Sequence, residues 1–388
     1  MKKTKILALT LVLAFVFGTI PSFAARNDIA AVSSGLSLDL SSKSACLMEA
    51  STGEIIYEQN PDEKLEPASV TKIMSLLIIF EAIDEGILKM EDVVTGSDKA
   101  ASMGGSQIWL EVGEQMSVTD MIKAMVVVSA NDCTVAMAEH IAGSEESFVN
   151  RMNKRASELG MVNTNFVNST GLPVENHYTT ARDIAIMTRE LLKHELIFNY
   201  TNIWMDSLRG GEMGLSNTNK LIRFYPGANG MKTGYTDSAK YCLSATAKRD
   251  KLQLIAVTMM APASDKRFQD AKKLLDFGFA NFSLYTSEIT ELPEIRVKGG
   301  VKKYVALECQ AQEILVAKGK EKLIETYISL PEYLEAPVKC TDVVGKLIFK
   351  IGDEVIAERE ITAGEDVRKM EFPDILKNLF NQTVCLMR

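Results

Sequence analysis

Residues 66–86 are the stretch that most limits how this chain can fold. Pro67 suits the first turn of a helix, and Gly86 supplies a stop about five turns later. The apolar residues between them face every side of the predicted helix, a pattern typical of a helix buried in a protein or a membrane. The three acidic residues within 81–85 argue against a membrane. The pattern therefore predicts a helix that runs through a protein core.

Two polar side chains lie at the start of this helix. Ser69 and Lys72 are three residues apart, so they share one face. Burial lowers the pKa of a lysine, and a neutral amine beside a hydroxyl can make that hydroxyl a nucleophile. The free N–H groups at the helix N-terminus could hold a developing oxyanion. The alternative is a first-turn serine beside a lysine whose amine reaches solvent.

Residues 1–24 are predicted to be a secretory signal peptide. Three lysines precede an apolar run, a proline breaks the run, and small residues occupy the predicted cleavage positions. The run is too short to span a bilayer comfortably, so we expect an exported protein without a spanning helix. Loss of these three lysines and no acidic residue takes the formal net charge from −8 to −11. That charge argues against nucleic acid as a partner.

The cysteines and histidines exclude several kinds of site. Six cysteines are widely spread, with no C-x-x-C pair and no nearby pair of histidines, which is a poor pattern for zinc or redox chemistry. Their disulfide pairing is open, and free buried thiols fit equally well. With three histidines, a Ser-His-Asp triad has few candidate bases, and each histidine is predicted to be a structural or surface residue. We expect neither a metal nor a cofactor.

Hydrophobic patterns divide the rest of the chain into four parts. Residues 25–42 are polar and are predicted to be a flexible lead-in. Residues 43–284 have strand patterns at both ends, and each end is predicted to form a hairpin. Helical patterns lie between them, with predicted helix starts at Ser117 and at Thr179 or Thr180, whereas 91–117 is predicted to be mostly irregular. This order predicts one sheet with helices on its faces. Short alternating runs in 285–370 predict a small all-β domain. Residues 371–388 are predicted to be an amphipathic tail, and 372–388 either contacts a membrane interface or packs against the β domain or a partner.

Three short motifs follow one another along the chain: Ser69-x-x-Lys72, Ser129-x-Asn131 and Lys232-Thr233-Gly234. They closely resemble the S-x-x-K, S-D-N and K-T-G motifs of penicillin-binding proteins and class A β-lactamases, with alanine in place of the aspartate. Each has an ordinary alternative, because Ser129 and Asn131 could cap the next helix and Lys-Thr-Gly could be a simple turn. Three motifs in this order, in an exported chain, favour a catalytic site.

Further segments extend the resemblance: Ser-Thr-Gly near residue 52, and residues 168–172, 177–183 and 217–221. Together they resemble the low-molecular-mass penicillin-binding proteins that are serine-type D-alanyl-D-alanine carboxypeptidases (peptidase S11). The resemblance implies an α/β fold of the α+β type, with a β-lactamase/penicillin-binding-like antiparallel sheet, helices on both faces and a small all-β C-terminal domain. It also implies removal of the terminal D-alanine from peptidoglycan stem peptides, with β-lactam antibiotics as covalent inhibitors. We then expect the protein in the cell wall or on the outer face of the cytoplasmic membrane.

The resemblance assigns three catalytic roles. Ser69 would be the nucleophile that forms an acyl-enzyme, and Lys72 would be the base that deprotonates it. Ser129 would relay a proton towards the departing D-alanine. Such roles make chemical sense, because an acyl-enzyme needs a nucleophile and a proton carrier.

The same resemblance assigns binding roles. Asn131 would hold the peptide backbone of the substrate, and the backbone N–H of Tyr235 would form an oxyanion hole with that of the nucleophile. Lys232, with help from the Thr233 hydroxyl, would bind the terminal carboxylate. Gly234 would let the substrate backbone lie close to an edge strand.

Several alternatives stay open at this point. Arg267 could be a second contact to the carboxylate, although a solvated arginine is the favoured interpretation. A class A β-lactamase would have a Glu-x-x-x-Asn segment after the second motif, and neither Glu175 nor Glu190 is followed by such an asparagine. A non-hydrolytic penicillin sensor or cell-wall-binding module is a third possibility, but a sensor should carry spanning helices.

Overall fold

A computed structural model describes residues 37–287 and 292–385. The predicted signal peptide and most of the predicted lead-in lie outside these residues. The helices are α1 (Lys72–Asp84), α2 (Asp98–Ala101), α3 (Val118–Val127), α4 (Asn131–Ala142), α5 (Glu145–Glu158), α6 (Ala181–Leu191), α7 (Phe198–Thr201), α8 (Leu221–Phe224), α9 (Ser264–Asn281) and α10 (Phe372–Cys385).

The strands are β1 (Ser44–Glu49), β2 (Ile55–Gln59), β3 (Val93–Thr95), β4 (Gln115–Ser117), β5 (Met205–Leu208), β6 (Met213–Ser216), β7 (Ala228–Thr236), β8 (Lys240–Arg249), β9 (Leu252–Ala261), β10 (Phe282–Thr286), β11 (Ile295–Lys298), β12 (Tyr304–Val305), β13 (Leu307–Glu308), β14 (Glu313–Ala317), β15 (Ile324–Ser329), β16 (Leu334–Glu335), β17 (Val343–Ile351) and β18 (Glu354–Ala363). They include the two predicted hairpins, β1–β2 and β8–β9.

The central sheet has five antiparallel strands in the order β2-β1-β9-β8-β7. Because β1 pairs with β9, the two ends of this part of the chain complete one sheet, as predicted. Successive side chains of a strand face opposite ways. Cys46 and Met48 of β1 therefore join the core that contains α1 and α3–α6, whereas Ala45 and Leu47 join the core that contains α9. Helices thus cover both faces of the sheet.

The predicted central helix is buried as expected. It begins with a 3₁₀ turn, Ala68–Thr71, and continues as α1. Every side chain of α1 from Lys72 to Ala82 is buried except that of Glu81. Gly86 follows with φ +71°, a conformation that favours glycine and ends the helix. The first turn of the helix therefore lies inside the protein, at the level of the sheet edge.

Local signals placed most other helices correctly. Ser117 and Thr180 cap α3 and α6 by accepting hydrogen bonds from the backbone N–H groups three residues on. Residues 91–117, predicted to be mostly irregular, contain the small β3–β4 pair and the short α2. Gly278 does not weaken α9, because a Cβ there would lie 2.5 Å from Leu254 Cδ1 and its absence lets the helix pack on the sheet.

The C-terminal part is an all-β domain with its own apolar core, as predicted, and β10 joins it to the first part by pairing with β14. The predicted tail forms the helix α10, which exposes Phe372, Ile375, Leu376 and Phe380. Within the residues that the structure describes, no helix combines the length and apolar character needed to cross a bilayer.

Candidate active site

The first two motifs meet at the start of the central helix. Lys72 Nζ lies 3.2 Å from Ser69 Oγ and 2.6 Å from Asn131 Oδ1. It also donates to the backbone carbonyl of Thr170, at 2.9 Å. These contacts join segments that are 59 and 98 residues apart in sequence. Ser69 is partly exposed, whereas Lys72 is fully buried.

The surroundings of Lys72 favour an uncharged amine. Burial lowers the pKa of Lys72 well below its usual value, and the positive charge of Lys232 lowers it further, while Asp132 opposes the shift. A neutral amine has two N–H groups and one lone pair. Since Asn131 and Thr170 accept the two N–H groups, the lone pair is left for the hydroxyl proton of Ser69. The geometry therefore places a buried amine in contact with a serine hydroxyl, which is the arrangement that activation of a nucleophile by a base requires.

Residues 168–172 form one wall of the cleft. The side chain of Asn168 accepts hydrogen bonds from the N–H groups of Thr170 and Gly171, at 3.2 and 2.7 Å. Gly171 has φ +84°, and a Cβ on it would lie 1.8 Å from the Ala68 carbonyl oxygen. Only glycine fits there, and its close approach brings the Thr170 carbonyl to Lys72. We did not predict a role for Thr170, because a backbone carbonyl leaves no signal in the sequence.

A buried histidine supports this wall. His177 Nδ1 accepts the N–H of Val167 at 3.1 Å, so Nε2–H donates to Thr71 Oγ1 at 2.9 Å. Burial lowers the pKa of His177 to about 4, which keeps the ring neutral. His177 therefore fixes the wall to the central helix and is a structural residue, as the sequence suggested for the histidines.

Strand β7, at the edge of the sheet, forms the opposite wall. A Cβ on Gly234 would lie 2.7 Å from the Pro67 carbonyl oxygen and 3.1 Å from the backbone nitrogen of Ser69. The start of the central helix therefore needs the absence of a side chain at Gly234. The expected role of Gly234 in making room for a substrate backbone stays a prediction. Tyr235 follows with an exposed side chain, stacked on Tyr241 with ring centroids 4.4 Å apart.

Two buried cations lie along this strand. Lys232 donates to the Thr233 carbonyl at 3.0 Å, and the Thr233 hydroxyl donates to Thr218 at 2.7 Å. Burial, followed by the charge of Arg267, lowers the pKa of Lys232 to about 7. Arg267 is 8% exposed and donates to the Gly234 carbonyl at 2.9 Å, so the favoured interpretation of a solvated arginine was wrong. The helix α9 turns it towards the sheet.

Ser129 lies between the helices α3 and α4 with φ +67°, a backbone conformation that non-glycine residues rarely adopt. Its side chain is 4% exposed, and its Oγ has no hydrogen-bond partner among residues 37–287 and 292–385. The capping alternative is wrong, because the N-cap of α4 is Ala130 and no side chain caps it. Leaving a buried hydroxyl unpaired costs about 1–3 kcal/mol, which points to a functional use.

Asp132 is a residue that sequence reasoning missed. Its Oδ2 accepts the N–H groups of Ile108 and Leu110, at 2.9 and 3.0 Å. Next to it, Asn131 donates to the Gly104 carbonyl at 2.7 Å. The two residues hold the loop 104–110 against the cleft. An Asn-Asp pair before a helical pattern reads as a helix start, so nothing in the sequence indicated this loop contact.

The buried cysteines are poor candidates for chemistry. The described cysteine thiols are free, and burial raises the pKa of Cys46 to about 12 and that of Cys242 to about 11. Buried, protonated thiols are poor nucleophiles. Within residues 37–287 and 292–385, no group of three or more His, Cys, Asp or Glu side chains is arranged to hold a metal ion.

A serine–lysine pair at the start of a buried helix, faced by a cationic edge strand of an antiparallel sheet, defines a serine acyl-transfer site of the penicillin-binding type. Residues 30–263 match the D-alanyl-D-alanine carboxypeptidase family, and residues 281–369 match the C-terminal domain of penicillin-binding protein 5. The chain belongs to the D-alanyl-D-alanine carboxypeptidase family (peptidase S11).

Individual relatives agree with this assignment. D-alanyl-D-alanine carboxypeptidase DacF of Bacillus subtilis is 46% identical over 343 residues, which cover 86% of this chain and 88% of that protein. DacC of Escherichia coli is 33% identical over 371 residues, covering 92% and 91% of the two chains. The crystal structure of penicillin binding protein 5 from Haemophilus influenzae superimposes with a TM-score of 0.78 at 32% identity, covering 85% of this chain and 98% of that one. The predicted family, fold class and enzyme class, a serine-type D-Ala-D-Ala carboxypeptidase, are confirmed.

Proposed function

We propose that the protein removes the terminal D-alanine from peptidoglycan stem peptides through an acyl-enzyme on Ser69, and that β-lactam antibiotics acylate the same oxygen. One observation carries the proposal. The buried Lys72 amine lies 3.2 Å from Ser69 Oγ and donates to both Asn131 and Thr170, so the uncharged form of the amine keeps its lone pair for the Ser69 hydroxyl. This arrangement supports a nucleophile activated without a histidine or a metal ion.

In the first step, the cleft holds the peptide end and activates the serine. Lys232 and the Thr233 hydroxyl bind the terminal carboxylate, and the N–H groups of Ser69 and Tyr235 hold the carbonyl oxygen. Lys72 accepts the hydroxyl proton while Ser69 Oγ forms a bond to the carbonyl carbon of the penultimate D-alanine. The carbonyl electrons move to the oxygen, whose negative charge the two N–H groups stabilise.

In the second step, the tetrahedral intermediate collapses. The C–N bond breaks, and the Ser129 hydroxyl gives its proton to the departing amine of D-alanine. The proton that Lys72 took from Ser69 replaces it. Water then attacks the acyl ester while Lys72 accepts a proton from that water. The second tetrahedral intermediate collapses, the bond from its carbon to Ser69 Oγ breaks, and Lys72 returns the proton to Ser69 Oγ. The products are free D-alanine, the shortened peptide and the original enzyme.

The same proposal covers organisation and location. Residues 43–284 would form the catalytic domain and 285–370 the β domain, after export directed by residues 1–24. The exposed apolar residues of α10 support a peripheral contact of 372–388 with the outer face of the cytoplasmic membrane. The enzyme would then act on the cell wall close to that membrane.

The test is D-alanine release from a synthetic pentapeptide that ends in D-Ala-D-Ala. We expect Ser69→Ala to lower the rate by about 10⁴-fold or more, because loss of a nucleophile that acts with its base removes most of the catalysis. Ser157→Ala, at an exposed serine of α5, should leave the rate unchanged. A labelled penicillin should attach to Ser69. A label on another residue, or release by the Ser69→Ala variant at the normal rate, would contradict the proposal.

A further inference from the structure

A buried carboxylate lies at the start of α5, where the helix itself does not need one. Glu145 is the first residue of α5 and is 8% exposed, but Ser144 already caps the helix by accepting the N–H of Ser147 at 3.1 Å. Glu146, in the same turn, is exposed and supplies the negative charge that a helix start favours. Burying a carboxylate is costly unless partners compensate for it. The burial of Glu145 therefore has to be explained by its contacts outside α5.

Glu145 contacts the wall 168–172 of the active-site cleft. Its Oε1 accepts the backbone N–H of Ser169 at 3.0 Å and the Ser169 hydroxyl at 2.7 Å. Its Oε2 forms an ion pair with Lys99 Nζ at 2.7 Å. Burial acts to raise the pKa of Glu145, but the hydrogen bonds from Lys99 and Ser169 outweigh burial and hold the pKa below its usual value. Glu145 is therefore a charged and fixed anchor for Ser169.

The peptide unit that joins Ser169 to Thr170 is held from further sides. The Ser169 carbonyl accepts the hydroxyl of Ser75, a residue of the central helix, at 2.6 Å, and both serines are fully buried. The Thr170 N–H donates to Asn168 Oδ1 at 3.2 Å. With both polar groups of this peptide unit bonded, the direction of the next carbonyl is set. That carbonyl belongs to Thr170 and accepts from Lys72 Nζ at 2.9 Å.

We propose that Glu145 is a positioning residue for the base Lys72. It acts through Ser169, whose fixed backbone directs the Thr170 carbonyl at the amine. This inference rests on the proposed function, in which that amine takes the proton of Ser69. Without the anchor the wall 168–172 can shift, and the carbonyl no longer occupies one N–H group of the amine. The lone pair is then not held towards the serine hydroxyl, while the opposite wall, strand β7, is unchanged.

The experiment measures kcat and KM for D-alanine release from the synthetic pentapeptide by the full chain. The amount of active enzyme is taken from the end point of labelling by penicillin, so a loss of folded protein does not count as a loss of kcat. We expect Glu145→Ala to lower kcat about 30-fold, because a misplacement of about 1 Å costs up to about 100-fold. KM should stay the same, because the proposed carboxylate contacts lie on β7. Glu145→Gln should recover most of the lost kcat, because its amide oxygen still accepts from Ser169.

Glu146→Ala is the matched control, because it removes an exposed carboxylate from the same turn of α5, and its kcat should equal that of the wild type. Ser169→Ala keeps the inference testable if Glu145→Ala does not fold. It removes one of the two bonds between these residues and leaves Glu145 paired with the backbone N–H and with Lys99. We expect Ser169→Ala to lower kcat about fivefold, the size of one hydrogen bond.

Three results would overturn the inference. They are a normal kcat in folded Glu145→Ala or in Ser169→Ala, a change in KM instead of kcat, and a loss in Glu145→Gln as large as that in Glu145→Ala. In each case the wild-type enzyme still releases D-alanine and carries the penicillin label on Ser69. Absence of both release and label in the wild type would instead contradict the Ser69 proposal, so the two failures are distinguishable.

Discussion

The two parts of the chain differ in what they bury. Within 292–377, every buried side chain is apolar. Within 37–287, the core also contains three cations and several carboxylates: Lys72, Lys232, Arg267, Glu49, Asp132, Glu145, Asp183 and Asp270. Removing a charge from water costs several kcal/mol unless partners compensate for it. The first part therefore tolerates the free-energy cost of burying charged side chains, whereas the second part avoids it. This difference indicates that the active site lies in the first part.

The largest expected effect tests whether a buried amine is needed as a base. Lys72→Arg keeps a long cationic side chain, but arginine stays protonated and cannot accept the proton of Ser69. We expect the rate of D-alanine release to fall about 10³-fold, within the range for loss of a general base. Lys89→Arg, at an exposed lysine, should behave as wild type. If the Lys72→Arg enzyme kept more than a tenth of the normal rate, an uncharged amine at this position would not be needed as the base.

The second prediction compares equivalent cavities in the two cores. Phe349 in β17 and Phe80 in α1 are both 0% exposed. Each change to alanine should cost about 3–5 kcal/mol in the free energy of unfolding. Phe349→Ala should lower the unfolding temperature of the β domain and leave D-alanine release from a soluble peptide within about twofold, whereas Phe80→Ala should also lower the rate. Equal losses of activity would show that the β domain supports the site directly.

A third prediction compares two glycines. Gly171 and Gly352 have φ values of +84° and +60°, but a Cβ on Gly352 meets no atom within 4 Å. Gly352→Ala should cost about 1 kcal/mol of backbone strain, and Gly171→Ala at least about 2 kcal/mol, because the strain is joined by a clash with the Ala68 carbonyl. Gly171→Ala should also slow D-alanine release by displacing Thr170. Similar unfolding curves for the two variants would show that the wall 168–172 can shift enough to relieve the clash with the Ala68 carbonyl.

A fourth prediction is a pH dependence of substrate binding. The free enzyme holds Lys232 with a pKa of about 7, lowered by burial first and by the charge of Arg267 second. Below that pH the lysine is an ammonium, the form that the proposed binding of a carboxylate needs, and above that pH the amine is neutral. We expect KM to rise with pH from 7 to 9, at most about tenfold per unit. Lys346→Gln, an exposed lysine of β17, should not alter the profile. A constant KM over this range would contradict the assigned role.

The lowered pKa of Lys232 also makes the stability of the folded protein depend on pH. The pKa of Lys232 falls from 10.5 in the unfolded chain to about 7 in the folded protein. Between these values the unfolded state holds the extra proton, so the contribution of Lys232 to folding becomes more favourable as the pH rises from 7 to 10.5. Below pH 7 both states are protonated, and the full cost of burying the charge remains.

Local patterns were enough for much of the fold. The all-round apolar stretch predicted the buried helix, and Ser117 and Thr180 predicted two helix starts, because each of these signals lies within a few residues of the structure that it specifies. Arg267 was misread as solvated. Its sequence position gives a helix start, but only the packing of α9 on the sheet decides which way the guanidinium points.

The sequence by itself determined the order of the elements, the three motifs and the family that they resemble. Only the tertiary structure decided that the Thr170 carbonyl completes the contacts of Lys72, that Asp132 holds the loop 104–110, and that Ser129 keeps an unpaired hydroxyl. The physical reason is that these properties depend on contacts between groups that are far apart in sequence. The contacts of Lys72 and of Asp132 also involve backbone groups, which every residue type has and which the sequence therefore does not mark. The protonation of a lysine is set by such surroundings, and by the water that they exclude.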